Sequence, residues 1–220
     1  MNGRFKALFS IFFYAVFLFA AIICSGVFTG CTSEIKVELK KDGAVNVSFN
    51  GTAGQAFTAL INSAAGTEGS NVLFDTKEIQ SEMTASGFEN VKAVSKNGRD
   101  LSLTMTDSKR KSAMFTSGAI SVKDSKLSGV LDAKSLLDFY KSADSQTAMF
   151  LDMLLAPVFN DEKMSEEEYL ETIAAFYGQE IADEISAANF RITLKNADGS
   201  EAVRNIKLTK LLTLDETIRF

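Results

Sequence analysis

"EIKVELKKDGAVNVSF", Glu34 to Phe49, is the stretch that decides the fold of this chain. Ile35, Val37 and Leu39 alternate with charged residues before Asp42-Gly43, and Val45, Val47 and Phe49 alternate with polar ones after it. Strict alternation sends one set of side chains to one face of a strand. An Asp-Gly pair between two such runs signals a hairpin, because the tight turn needs positive φ. The pattern recurs. "NVKAVSKNGRDLSLTMT" turns at Asn97-Gly98, with Leu101, Leu103 and Met105 on one face. "GAISVKDSKLSGVL" is a weaker third case. "FRITLKNADGSEAVRNIKLTKLLTL" turns at Asp198-Gly199, between Phe190, Ile192 and Leu194 on one side and Ile206 and Leu208 on the other. The expectation is about eight short strands in four hairpins.

Helical spacing lies between the hairpins. Phe57, Leu60, Ile61 and Ala64 share a face over 54–65. Asp75 is placed to cap a helix over 76–86 that stops before Gly87, and Asp132 to cap "AKSLLDFYKSA". "SEEEYLETIAAFYG" carries a capping box in Ser165 and Glu168, with Gly178 as its stop. Ile181 and Ile185 mark a further short turn. One-sided strands need a cover for their apolar face, and these helices supply it. The predicted architecture is one α+β domain over 31–220: an antiparallel, curved sheet with helices packed on its concave side. No Pro- or Ser-rich linker divides it.

Composition narrows the chemistry. Histidine is absent, and the two cysteines, Cys24 and Cys31, both lie in or beside the apolar N-terminus. That excludes an internal disulfide, a thiolate metal site and the Ser/His and Cys/His arrangements of nucleophilic catalysis. No phosphate-cradling glycine motif occurs, and "GTAG" at 51–54 reads as a turn into a helix. Carboxylate pairs remain open to a hydrolase, but no tryptophan offers a sugar platform. No catalytic residue, metal site or cofactor is assigned.

Residues 1–30 differ from the rest. Arg4 and Lys6 precede the uncharged run Ala7 to Cys24, and "SGVFTG" leads to Cys31. A basic start, an apolar centre and a small-residue exit describe an export signal. Its removal leaves 21 basic against 28 acidic residues, since Arg4 and Lys6 go with it and no acid does. So acidic a remainder excludes a general nucleic-acid binder. Three readings of the N-terminus stand: an uncleaved membrane anchor over roughly 7–28, a cleaved signal that frees the protein, and a lipoprotein signal cut before Cys31.

"FTGC", Phe28 to Cys31, resembles the bacterial lipobox, with Phe28 in place of the usual leucine as in the relaxed lipoboxes of spirochaete lipoproteins. The resemblance implies cleavage after Gly30 and a thioether-linked diacylglycerol on Cys31. It also implies a place in the cell envelope, on the periplasmic or surface face of a bacterial membrane. "IKVELKKDGAVNVSF" directly after this cysteine resembles the opening of LppM-type envelope lipoproteins. That likeness implies a lipid-binding α+β domain and carries over no catalytic residue.

Three stretches of the domain are candidate sites. "AMFLDMLLAPVF", Ala148 to Phe159, is apolar except for Asp152. A helix apolar all round is either core or meets something apolar. Met149, Phe150, Met153, Leu154 and Phe159 are therefore expected to line either the core or a site for an apolar ligand or an envelope partner. Asp161, Glu162, Glu166, Glu167, Glu168 and Glu171 form either a calcium site or a solvated helix start matched to the dipole. Lys109-Arg110-Lys111 forms either a headgroup contact or an exposed turn. The functional expectation is a non-enzymatic, membrane-anchored binding protein. The alternatives are a structural or adhesion lipoprotein without a small-molecule ligand, and a carboxylate hydrolase.

Overall fold

The computed structural model describes residues 32–64, 66–134, 137, 152, 154–155, 163–214 and 216–220. The opening stretch folds back on itself. β1 (Thr32–Leu39) and β2 (Val45–Thr52) pair antiparallel, with Ile35 opposite Phe49 and Val37 opposite Val47. Gly43 takes the positive φ of the turn, 87°, and the Asp42 carboxylate accepts a hydrogen bond from the Ala44 amide at 3.0 Å.

Four more strands complete this sheet: β3 (Glu89–Val94), β4 (Asp100–Asp107), β7 (Asn189–Lys195) and β8 (Glu201–Lys207), in the order β3-β4-β2-β1-β7-β8. The hairpins are antiparallel as expected. β1 and β7, however, run parallel, from Thr32 opposite Asn189 to Glu38 opposite Lys195. Parallel neighbours need a long crossover, and everything between β2 and β7 supplies it. The first and last hairpins of the sheet thereby lie side by side.

Alternation decides the two faces. Ile35, Val37, Leu39, Val45, Val47, Phe49, Leu101, Leu103, Met105, Phe190, Ile192 and Leu194 are all buried on one side. Burying each such side chain contributes about 2 kcal/mol. The helices cover this side: α1 (Gln55–Ala64), α2 (Thr76–Ala85), α4 (Glu166–Tyr177), α5 (Gln179–Ala187) and α6 (Leu208–Thr213). Phe57, Ile79, Met83, Tyr169, Ile173, Ile181 and Ile185 join the same core. Two of the caps stand as read: Asp75 accepts from the Lys77 amide at 2.9 Å, and Ser165 and Glu168 form the capping box. The helix expected after Asp132 lies mostly outside the described residues. The opposite face of the sheet is polar.

The weaker hairpin forms apart from the main sheet. β5 (Ile120–Lys123) and β6 (Lys126–Leu131) turn at Asp124 and Ser125, whose φ values of 50° and 60° suit a two-residue hairpin. β9 (Ile218–Arg219) adds to β6, giving a second sheet β5-β6-β9. Between β4 and β5 a short α3 (Ala113–Thr116) turns the chain. Leu208, expected on a strand, instead opens α6. Leu208, Leu211 and Leu212 are buried together, a helical spacing that the strand reading missed.

The main sheet has two distinct ends. Thr32, Thr52, Val94, Asp100, Asn189 and Lys207 lie at one; Leu39, Val45, Asp107, Lys195 and Glu201 lie at the other. The seven residue steps of β1 separate them by about 23 Å.

Candidate functional site

Carboxylate pairs are the catalytic arrangement the sequence reading left open, so their placement comes first. Glu184 on α5 is buried, and its two oxygens accept from the amides of Ala56 (2.9 Å) and Phe57 (3.0 Å) at the start of α1. Two orphan amides of a helix N-terminus are thus satisfied by an anion from another helix. Gly54 makes the approach possible: a Cβ there would stand 2.0 Å from Glu184 Oε2. "GTAG" is a turn into a helix, as read, and also a seat for this carboxylate.

Asp107 and Asp100 are committed in the same way. Asp107 accepts from the amides of Lys109, Lys111 and Ser112 at 2.8 to 3.1 Å. Burial opposes its charge, but hydrogen bonds from Ser112, Lys111 and Lys109 hold the carboxyl below its ordinary value. Asp100 accepts from the amides of Lys96 and Asn97, both at 2.9 Å. These three groups shape backbone.

An open groove of about 510 Å³ lies between α4, α5 and the β8–α6 junction. Glu166, Glu167 and Glu171 wall it, with Leu170 and Ala174 at its floor and Lys207 and Thr209 opposite. The Thr209 hydroxyl donates to Glu166, and Lys207 Nζ is 3.9 Å from the same carboxylate. Glu168 is turned into the capping box, where the Ser165 amide holds its carboxyl below the ordinary value. The acidic run therefore does not converge, and among the described residues no three His, Cys, Asp or Glu side chains stand together as a metal site. Asp161 and Glu162 lie outside the described residues. Phe176, 77% exposed, projects from the same helix near Tyr177.

Of the residues expected to meet an apolar ligand, Leu154 is buried in the core, as is Leu155. The Tyr169 hydroxyl donates to the Leu154 carbonyl at 3.0 Å. Burial, with Tyr177 nearby, pushes the Tyr169 phenol far up, so it remains a donor. Met149, Phe150, Met153 and Phe159 lie outside the described residues, as do Gly30 and Cys31. The basic run Lys109–Lys111 follows β4 at the end of the sheet away from Thr32. It is an exposed turn wrapped around Asp107.

The polar face of the sheet is a lattice of pairs. Asn50 accepts from the Ser102 hydroxyl and Asn46 from the Thr106 hydroxyl, while Glu34 faces Arg191 and Lys36 faces Glu201. Glu38 lies 2.8 Å from Lys40 Nζ and 2.9 Å from Lys195 Nζ. The hydrogen bonds from Lys40 and Lys195 lower its pKa from 4.5 to about 2. A depressed folded value adds stability that is complete above the ordinary pKa and lost as pH falls through the folded one. The stability difference between the native protein and Glu38→Gln is therefore expected to shrink as pH drops from 4.5 to about 2. Chemical denaturation at several pH values reads this; a difference constant across that window would refute it.

Among the described residues no helix is long and apolar enough to cross a membrane. No protein-family model, curated protein or solved structure matches the chain.

Proposed function

We propose that this chain is a lipid-anchored protein of the bacterial cell envelope that acts by binding, not by catalysis. The observation that carries the reading is the junction at Cys31. "FTGC" ends one residue before β1, and Thr32 already pairs with Asn189 in the middle of the main sheet. A chain cut after Gly30 would enter its fold with no spacer, held by a diacylglycerol on Cys31. Each buried methylene of that lipid contributes about 0.8 kcal/mol, so two or three acyl chains hold firmly. Acylation also removes the oxidation hazard of a lone exported thiol. The likeness of residues 35–49 to the opening of LppM-type lipoproteins agrees with this placement.

A binding role is supported by how three carboxylates are used. The buried Glu184 and Asp107 and the half-buried Asp100 are committed to backbone amides, which leaves them unsuited to proton transfer. A protein partner fits better than an apolar ligand, because the groove among the described residues is walled by glutamates and Leu154 belongs to the core. A groove walled by glutamates suits a basic partner surface. The structural or adhesion alternative keeps the anchor and dispenses with that partner.

Intact mass of the native protein tests the anchor. The expected species begins at Cys31 and carries acyl chains. An unmodified chain retaining residues 1–30, or one cut elsewhere with a free thiol, overturns the reading.

A further inference from the structure

Asparagine followed by glycine occurs at residues 2–3, 50–51 and 97–98. Such a pair carries its own nucleophile and electrophile. The glycine nitrogen, with no side chain to shield it, attacks the carbonyl carbon of the asparagine side chain. Closing that ring swings the Cβ–Cγ bond into line with the following amide, which takes a rotation about ψ. The surrounding backbone therefore decides which pair reacts. Residues 2–3 lie outside the described residues, and the other two pairs are held in opposite ways.

Asn50 is on β2, which lies between β4 and β1. It stands opposite Glu34 on one side and Ser102 on the other, with Gly51 opposite Leu101. Its Oδ1 accepts from the Ser102 hydroxyl at 2.8 Å, so the side-chain carbonyl is turned sideways to the next strand. A rotation about ψ here breaks pairing on both sides of β2.

Asn97 is exposed in the β3–β4 turn. Its Oδ1 accepts from the Arg99 and Asp100 amides, both at 2.9 Å. The side chain is thus folded forward, against the peptide whose nitrogen would attack it. The same two donors sit on the oxygen that takes up negative charge as the ring closes. The Gly98 N–H donates to Ser95 Oγ at 2.9 Å, so no strand pairing is lost when this nitrogen reacts. Asp42-Gly43 and Asp198-Gly199 show the same forward fold, with the Ala44 and Ser200 amides as donors. An ionised carboxylate resists attack, however, and hydrogen bonds from Ser200 hold the Asp198 carboxyl below its ordinary value.

We propose that Asn97 is a site of spontaneous self-modification in the folded protein, while the strand around Asn50 keeps that residue intact. The Gly98 nitrogen bonds to Asn97 Cγ and gives up its proton, and the side-chain nitrogen leaves as ammonia. Water then opens the succinimide at one carbonyl or the other, leaving aspartate or isoaspartate at position 97. The reaction consumes water alone and needs neither the anchor nor a partner.

One of the two products reaches a second segment. The Gly98 carbonyl accepts from the Leu73 and Phe74 amides at 2.8 and 3.1 Å. Gly98 also lies close against Val72, where an added Cβ would stand 3.0 Å from the Val72 Cα. Isoaspartate inserts one more atom into the backbone directly before Gly98, which displaces this carbonyl and unties residues 72–74. Aspartate leaves the backbone unchanged and adds only a charge near Asp100.

The full native protein in detergent is aged at mildly alkaline pH, then digested with pepsin in acid, where the ring closes slowly. Mass reads loss of ammonia and gain of water at each asparagine. Modification at Asn97 is expected to exceed that at Asn50 by about tenfold or more, since Asn50 must wait for the sheet to open. In urea the two positions are expected to react alike. Equal modification of both in the native protein overturns the proposal, as does an intact Asn97 in the native protein when the unfolded chain reacts there. Amide exchange at Leu73 and Phe74 should quicken about tenfold in the isoaspartate fraction and stay unchanged in Asn97→Asp. Unchanged exchange in both refutes the coupling to residues 72–74.

Discussion

Gly54→Ala is expected to cost about 3 kcal/mol of stability, and adding Glu184→Ala to it is expected to recover about 1 kcal/mol. The new Cβ would fall 2.0 Å from Glu184 Oε2 and 2.3 Å from its carboxyl carbon. The side chain is flexible, but it has nowhere equivalent to go. It is 7% exposed, and both oxygens are held by the Ala56 and Phe57 amides. Displacing it leaves a buried charge without donors and two helix amides without an acceptor. Removing one partner of such a pair costs more than removing both. Glu184→Ala alone leaves only the amides unsatisfied, for about 2 kcal/mol. The double variant should resemble that single one, because the clash disappears with the carboxylate. Urea denaturation of the detergent-solubilised protein measures all three. If the two losses simply add, the Cβ of residue 54 is not striking this carboxylate, and the account fails.

The same contact shows where sequence reading ended. The helix after "GTAG" was legible from Phe57, Leu60 and Ile61, and its start fell within a residue of its place. What caps it was not legible, because Glu184 lies 128 residues along the chain from Ala56 and no spacing rule connects them. Local devices read well for the opposite reason. The Asp42-Gly43 turn, the Ser165 and Glu168 box and the Asp75 cap each have all their parts within a few residues. The parallel pairing of β1 with β7 is again non-local. Alternation tells which face a strand buries, but not which neighbour it takes or in which direction. For Leu208 the pattern was ambiguous: Ile206 and Leu208 alternate as in a strand, while Leu208, Leu211 and Leu212 repeat as in a helix, and the core needed the second. Burial of Leu154 answers the core reading at that position, since Tyr169 donates to its carbonyl from a helix that the sequence had placed independently. The groove of Glu166, Glu167, Lys207 and Thr209 joins parts of the chain 40 residues and more apart, so only its acidic wall was visible beforehand.

Gly129→Ala is expected to release β9 locally, at a cost of about 2 kcal/mol, while the main sheet keeps its midpoint. Gly129 has no positive φ, so its backbone accepts an alanine. Space is what it lacks: a Cβ would stand 2.0 Å from Phe220 Cε2 and 2.5 Å from Cζ. The ring lies flush on the glycine because two backbone hydrogen bonds hold it there, Gly129 N–H to the Phe220 carbonyl at 2.6 Å and Phe220 N–H to the Gly129 carbonyl at 3.1 Å. Only Val130 opposite Arg219 and Leu131 opposite Ile218 continue the pairing, so little holds the segment once the ring is lifted. The rest of the small sheet keeps its own support, since the β5–β6 hairpin is joined to the main sheet by Leu127 N–H donating to Asn196 Oδ1 at 2.7 Å. Loss should therefore stop at β9. Amide exchange at Gly129 and Phe220 should accelerate by about 30-fold, while amides of β1 and β2 keep their protection. Phe220→Ala should produce the same local opening without the clash, and Gly129→Ala placed on top of it should then add little, as expected when one contact explains both losses. Unchanged exchange at Gly129 in the single variant, or an equal loss of protection in β1, would show that the ring does not act as this local latch.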